Sequence, residues 1–133
     1  MRLIIAGSRS LTSYELLQRC MKQTQFAAAL RAPDGSIILS GCARGIDTLA
    51  LRWAREHGLP VEHWPADWAA HGMRAGFVRN EAMVSEADAL VAIWDSNSIG
   101  TAHIVRITCE RGLPVEVFDV ADDGTFVIRR FNN

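Results

Sequence analysis

The segment Ser36-Ile37-Ile38-Leu39-Ser40-Gly41-Cys42-Ala43-Arg44-Gly45-Ile46-Asp47-Thr48-Leu49-Ala50-Leu51-Arg52-Trp53-Ala54 carries three signals in one run. Ser36 to Ser40 is a short apolar stretch of the kind that forms a buried strand. Gly41 to Gly45 is a glycine-bracketed loop. Ile46, Leu49, Ala50, Trp53 and Ala54 then fall at i, i+3, i+4, i+7 and i+8, the apolar face of one helix. Gly58 and Pro60 supply its stop chemistry. Strand, turn and helix in that order make the repeating unit of a parallel sheet, because parallel strands need a crossover.

The same unit recurs on both sides. Leu3 to Ala6, Val61 to Trp64, Ala89 to Trp94 and Leu113 to Phe118 read as further buried strands. Leu11 to Leu30 has helical spacing and predicts one helix, ending at the turn Ala32-Pro33-Asp34-Gly35. Met73 to Glu86 predicts a third helix, with Phe77, Met83 and Val84 on its buried side, and Gly100 to Arg111 a fourth. The junction Gly58-Leu59-Pro60-Val61-Glu62 returns as Gly112-Leu113-Pro114-Val115-Glu116, one helix-to-strand solution used twice. The expected fold class is α/β, with a mainly parallel sheet of about five strands in a single three-layer domain over residues 1–120. Residues 121–133 form a tail with a turn at Asp122-Asp123-Gly124 and a strand-like Thr125 to Ile128.

Composition narrows the function. The chain has 133 residues, 49% hydrophobic and 22% charged, the balance of one globular domain. Its net charge is -1, against a broad basic surface for nucleic acid. Thirteen of the 14 basic residues are arginines; Lys22 is the lone lysine, so Walker-type phosphate loops are absent. Three cysteines without Cys-x-x-Cys spacing fit a reducing compartment, and four histidines without paired spacing predict no metal site. Ala89 to Trp94 is too short to span a membrane, and Leu3 to Ala6 too short for a signal-peptide core, so a cytoplasmic protein is expected.

Ligands of parallel α/β sheets lie beyond the carboxyl ends of the strands, which directs attention to four loops. After strand one, Gly7, Ser8 and Arg9 offer close backbone approach and phosphate donors; a plain turn with Ser10 or Thr12 capping the next helix is the alternative. After strand two, Gly41, Ala43, Arg44 and Gly45 stand at a helix start suited to an anion. Asp47 there either answers the helix dipole or accepts ribose hydroxyls. Cys42 is either a thiolate near Arg44 or, the favoured reading, a small buried hydrophobe. Arg79, Asn80 and Glu81 come from helix three. Asp95, then Gly100 and Thr101, follow strand four, with Ser98 or Thr101 as helix cap. Trp68 and Trp94 are candidates to stack on a base.

Taken together, Ile5-Ala6-Gly7-Ser8-Arg9, Ser40 to Asp47, Pro65-Ala66-Asp67-Trp68, Arg79-Asn80-Glu81-Ala82-Met83 and Gly100-Thr101 resemble the SLOG superfamily. This Rossmann-like group contains the Lonely Guy phosphoribohydrolases and the DNA-processing protein A family, and the resemblance is to the branch related to bacterial YspA and YpsA. It implies a nucleotide-like small molecule bound by the glycine loops and a homodimer; no cofactor is expected. The Lonely Guy enzymes use an arginine on helix three and a glutamate in Pro-Gly-Gly-x-Gly-Thr-x-x-Glu. Arg79 can stand for the arginine, but the glutamate position is Ile104 and the Pro-Gly-Gly segment is Asn97-Ser98-Ile99. An enzyme of this kind would need Glu81, Asp95 or Asp47 instead. Three functions follow: a sensor or carrier that binds a phosphate-containing nucleotide, a phosphoribohydrolase-like N-glycosidase, and a DNA-associated protein.

Overall fold

The computed structural model describes residues 1–32 and 35–132. Pro33 and Asp34, the centre of the expected turn before strand two, lie outside the described residues. The strands are β1 (Arg2–Gly7), β2 (Ile37–Ser40), β3 (Val61–His63), β4 (Ala89–Trp94), β5 (Val115–Val120) and β6 (Phe126–Phe131). They form one sheet in the order β3-β2-β1-β4-β5-β6. All neighbours run parallel except β5 and β6, which pair antiparallel. The sheet therefore has six strands where the apolar runs predicted about five; the sixth is the strand-like piece of the tail, extended to Phe131.

β1 and β4 are buried on both faces, as inner parallel strands must be. Leu3 and Ile5 with Val91 and Ile93 pack toward α1 (Tyr14–Lys22) and α3 (Ile46–Glu56). Ile4, Ala6, Leu90 and Ala92 pack toward α5 (Ala75–Ser85) and α6 (Ile99–Glu110). The result is helix, sheet, helix. Among the described residues no helix is long and apolar enough to cross a membrane.

Two helical expectations need correction. Leu11 to Leu30 is not one helix: α1 ends at Lys22, and a second, short helix α2 spans Ala27–Arg31. The cause lies on β5. The Glu116 carboxylate is wholly buried there and accepts hydrogen bonds from Thr24 Oγ1 at 2.7 Å, Gln25 N at 2.9 Å and Arg130 Nε at 2.8 Å. Breaking the helix at Thr24 and Gln25 frees donors for that carboxylate, which a buried charge requires. Glu116→Gln keeps the shape but turns an acceptor into a donor facing donors. It is expected to lower unfolding free energy by about 1–2 kcal/mol, read as a lower urea midpoint; an unchanged midpoint contradicts this role. The cap of α1 is Ser13, which accepts from Leu16 N at 3.1 Å, not Ser10 or Thr12.

The second correction concerns Met73 to Glu86. The helix α5 begins only at Ala75, after a short helix α4 (Trp68–His71) and a 3₁₀ turn (Gly72–Arg74). Met83 and Val84 are buried as expected, but Phe77 is exposed. The buried position on that face is taken by Asn80.

Candidate functional site

Strand order reverses between β1 and β4, so their following loops diverge and leave a crevice at the carboxyl end of the sheet. A cleft of about 220 Å³ lies there. Gly7, Asp47, Arg79, Asn80, Gly100 and Thr101 line it, with Arg9 and Ala43 at one side. A larger hollow of about 760 Å³ opens elsewhere, lined by Met21, Leu30, Trp53 and Leu59. It borders Ser36 and Pro60, which precede β2 and β3, so it sits at the amino ends of the strands. The smaller cleft has the topological position of a ligand site and the charged groups to match.

Asp47 sits in the first turn of α3 and is almost wholly buried. Gly7 N donates to its Oδ1 and Ala43 N to its Oδ2, both at 3.3 Å. Burial pushes its pKa up to about 6, with Arg79 and the two backbone donors pulling the other way. The Arg79 guanidinium is itself lowered by burial and supported by Asp47. Gly41 separates the two groups. A Cβ on Gly41 would stand 2.6 Å from Arg79 Nη1 and 2.8 Å from Asp47 Oδ2, so glycine is what leaves room for this pair. Arg79 Nη1 donates to the carbonyls of Gly41 and Trp64, and Nε to Asn80 Oδ1 at 2.9 Å. Asn80 Nδ2 in turn donates to Gly100 O at 3.3 Å and lies 3.1 Å from His103 Nδ1. This chain ties α5 to the start of α6.

The raised Asp47 pKa has a stability consequence. In the pH window from about 4 to about 6 the folded chain holds a proton that the unfolded chain has released, so raising pH through that window weakens folding at this site. Relative to Asp47→Asn, the wild-type melting temperature is expected to fall as pH rises from 4 to 6 and run parallel above. Parallel curves throughout the window would contradict a buried, titrating Asp47.

The remaining expected residues separate by role. Ser8 is fully buried: its N donates to Ile93 O, its Oγ accepts from Asp95 N at 2.9 Å, and its carbonyl accepts from Leu11 N and Ile46 N. It stitches three loops together and does not line the cleft. Gly45 has φ +74°, and a Cβ there would stand 2.4 Å from Ser8 O. The Asp95 carboxylate accepts from Ser10 Oγ, Asn97 N and Ser98 N. Burial acts to raise its pKa, yet these bonds hold it at about 2. Arg44 and Glu81 are exposed and lie off the cleft. Ile104, at the glutamate position of the Lonely Guy motif, is buried against it. Cys42, expected as a buried hydrophobe, is half-buried, and its sulfur contacts His63.

Of the cleft's apolar lips, the sequence singled out Trp68 as a stacking candidate and placed Phe77 in the core, but pointed to neither Met73 nor Ile99. Met73 is 98% exposed, Ile99 74%, Trp68 52% and Phe77 40%, and all four line the opening. Phe77 stacks on His103 with ring centroids 4.3 Å apart, and the Arg9 guanidinium lies 6.0 Å from the Trp68 ring centroid. Exposed apolar surface gathered around a polar floor is characteristic of ligand clefts. Ser98 caps α6 by accepting from Thr101 N at 3.3 Å. The N–H groups of Ile99 and Gly100 have no acceptor within the helix, and a Cβ on Gly100 would meet nothing within 4 Å.

Comparison with known proteins adds two findings. A family model described as the YspA, cpYpsA-related SLOG family matches residues 1–71, which carry the loops after β1 and β2. Gene 61 protein of Mycobacterium phage D29 is 42% identical over 91 residues, spanning 64% of this chain and 73% of the phage protein.

Proposed function

The chain belongs to the YspA, cpYpsA-related SLOG family, and from that footing we propose that its cleft binds a phosphate-containing nucleotide or nucleotide derivative, as a sensor or carrier domain. One observation carries the proposal: the Ile99 and Gly100 N–H groups left free in the first turn of α6, with open space at Gly100, face a cleft that also holds Arg79 and Arg9. Helix N-termini attract phosphate because their N–H groups and the helix dipole both point at it. In this reading Ile99 N and Gly100 N hold phosphate oxygens and Thr101 lies beside them. Arg79 Nη2, which faces the Gly76 wall, adds charge. Trp68, Met73, Phe77 and Ile99 receive the base.

A thermal-shift panel of AMP, ADP-ribose, NAD, adenosine and inorganic phosphate tests this. A ligand at a hundred times its dissociation constant adds about 2.7 kcal/mol of apparent stability. At least one phosphorylated nucleotide is expected to raise the melting temperature while adenosine does not. A panel without any shift contradicts the proposal.

A second reading, N-glycosidic hydrolysis of a nucleoside 5′-monophosphate, is favoured by Asp47, a buried carboxylate with a raised pKa in the same cleft as Arg79. Ile104 in place of the usual glutamate weighs against it, as does the use of both Asp47 oxygens by backbone donors. Free adenine released from AMP on chromatography would establish turnover; intact AMP at high protein concentration would exclude that substrate.

A further inference from the structure

β2 and β3 lie side by side with Ser40 opposite His63, so the residues just past β2 emerge next to the end of β3. There the Cys42 sulfur is 3.4 Å from His63 Nδ1 and 3.5 Å from Ser40 O. Cys42 holds φ +64°, a left-handed conformation that favours glycine. Its side chain lines a second hollow of about 130 Å³, beside the nucleotide cleft, whose walls include Arg9, Gly41, Pro65 and Arg79. Arg79 Nη1 donates to the carbonyl of Gly41, the residue before Cys42. A thiol, an imidazole in contact with it, a concave space and two guanidinium groups thus share one loop cluster, with His63 itself exposed.

The other two thiols have different surroundings. Cys20 is wholly buried and burial pushes its pKa up to about 12. Cys109 is half-buried and also raised by burial. They serve as internal references.

We propose that Cys42 and His63 form a reactive-thiol site that takes an anionic low-molecular-weight disulfide. His63 Nδ1 accepts the thiol proton, and the Cys42 thiolate attacks one sulfur of the reagent. The reagent's S–S bond breaks as the new one forms, and the departing thiolate takes the proton back from His63. Cys42 is oxidised to a mixed disulfide while half of the reagent leaves as reduced thiol. Arg9 and Arg79 select an anionic reagent over a cationic one. The inference is independent of the nucleotide reading, because the reaction needs no nucleotide.

The test treats the native protein, without nucleotide, with oxidised glutathione or with cystamine, and locates the adduct by peptide mass mapping. Cys42 is expected to react about tenfold faster than Cys109, because His63 stands in contact to take its proton. The native chain should favour oxidised glutathione over cystamine relative to the urea-unfolded chain, and His63→Ala should slow Cys42 by about tenfold. Cys42→Gly, which the left-handed backbone accepts, should keep the melting temperature and abolish the fast adduct. Cys109 or Cys20 reacting as fast as Cys42, or an unchanged rate in His63→Ala, would overturn the dyad. Cystamine reacting as fast as oxidised glutathione after that normalisation would overturn the assignment of an anionic reagent.

Discussion

Gly7→Ala is expected to cost about 3 kcal/mol or more of unfolding free energy, a large fraction of the stability of a domain this size. The added carbon would stand 2.2 Å from Ile93 O and 2.7 Å from Ile46 Cβ. The first of these is backbone of the central strand pair, where Gly7 is opposite Ile93, so no side-chain rotation relieves the contact. Separating β1 from β4, or lifting the start of α3, would be the relief, and either disturbs the most buried part of the sheet. The contrast is Gly100→Ala, where nothing lies within 4 Å of the new carbon. That variant is expected to fold with wild-type stability yet lose nucleotide-induced stabilisation, because the methyl group occupies the approach to the α6 N–H groups. Urea denaturation separates the two: a wild-type midpoint for Gly7→Ala contradicts the packing account.

Arg79→Ala is expected to remove nucleotide binding, by about a hundredfold in affinity or more. The guanidinium is held in place by the carbonyls of Gly41 and Trp64 and by Asn80, so its geometry is fixed before any ligand arrives. Its loss also leaves the buried Asp47 without the cation that offsets its desolvation, so the Asp47 pKa should rise further. Arg79→Lys should not restore binding, because an ammonium group cannot make the forked contacts of a guanidinium. Arg44→Ala should bind nucleotide as the wild type does, since Arg44 is exposed and off the cleft. Binding retained in Arg79→Ala, or lost in Arg44→Ala, would move the site to another surface.

What was legible in the sequence follows from how local each feature is. β1, β2 and β4 announce themselves because strands buried on both faces must be continuous apolar runs. The helix α3 is legible from its apolar spacing, and Gly7 and Asp47 from their places at strand end and helix start. The break at Thr24 is not legible, because its cause is Glu116 on a strand far along the chain. Arg44 and Arg79 both look like phosphate ligands in one dimension; in the fold only Arg79 lines the cleft, while Arg44 is exposed in the loop before α3. Gly41 resembles a ligand-approach glycine but instead makes room for Arg79 beside Asp47. Trp68 stands out in the sequence as an aromatic in a loop, but Met73 and Ile99 on the same lips have the identities of core residues. Only the fold distinguishes them.

In the proposed reading, ligand enters at the strand reversal and not at the larger hollow on the opposite end of the sheet. Mapping backbone amide resonances during titration with the nucleotide that gives the largest thermal shift tests it most directly. Shifts are expected at Gly7, Arg79, Asn80 and from Ser98 to Thr101, with Leu30, Ser36 and His57 to Leu59 unmoved. Shifts confined to that second group, or no shifts at saturating nucleotide, would contradict it.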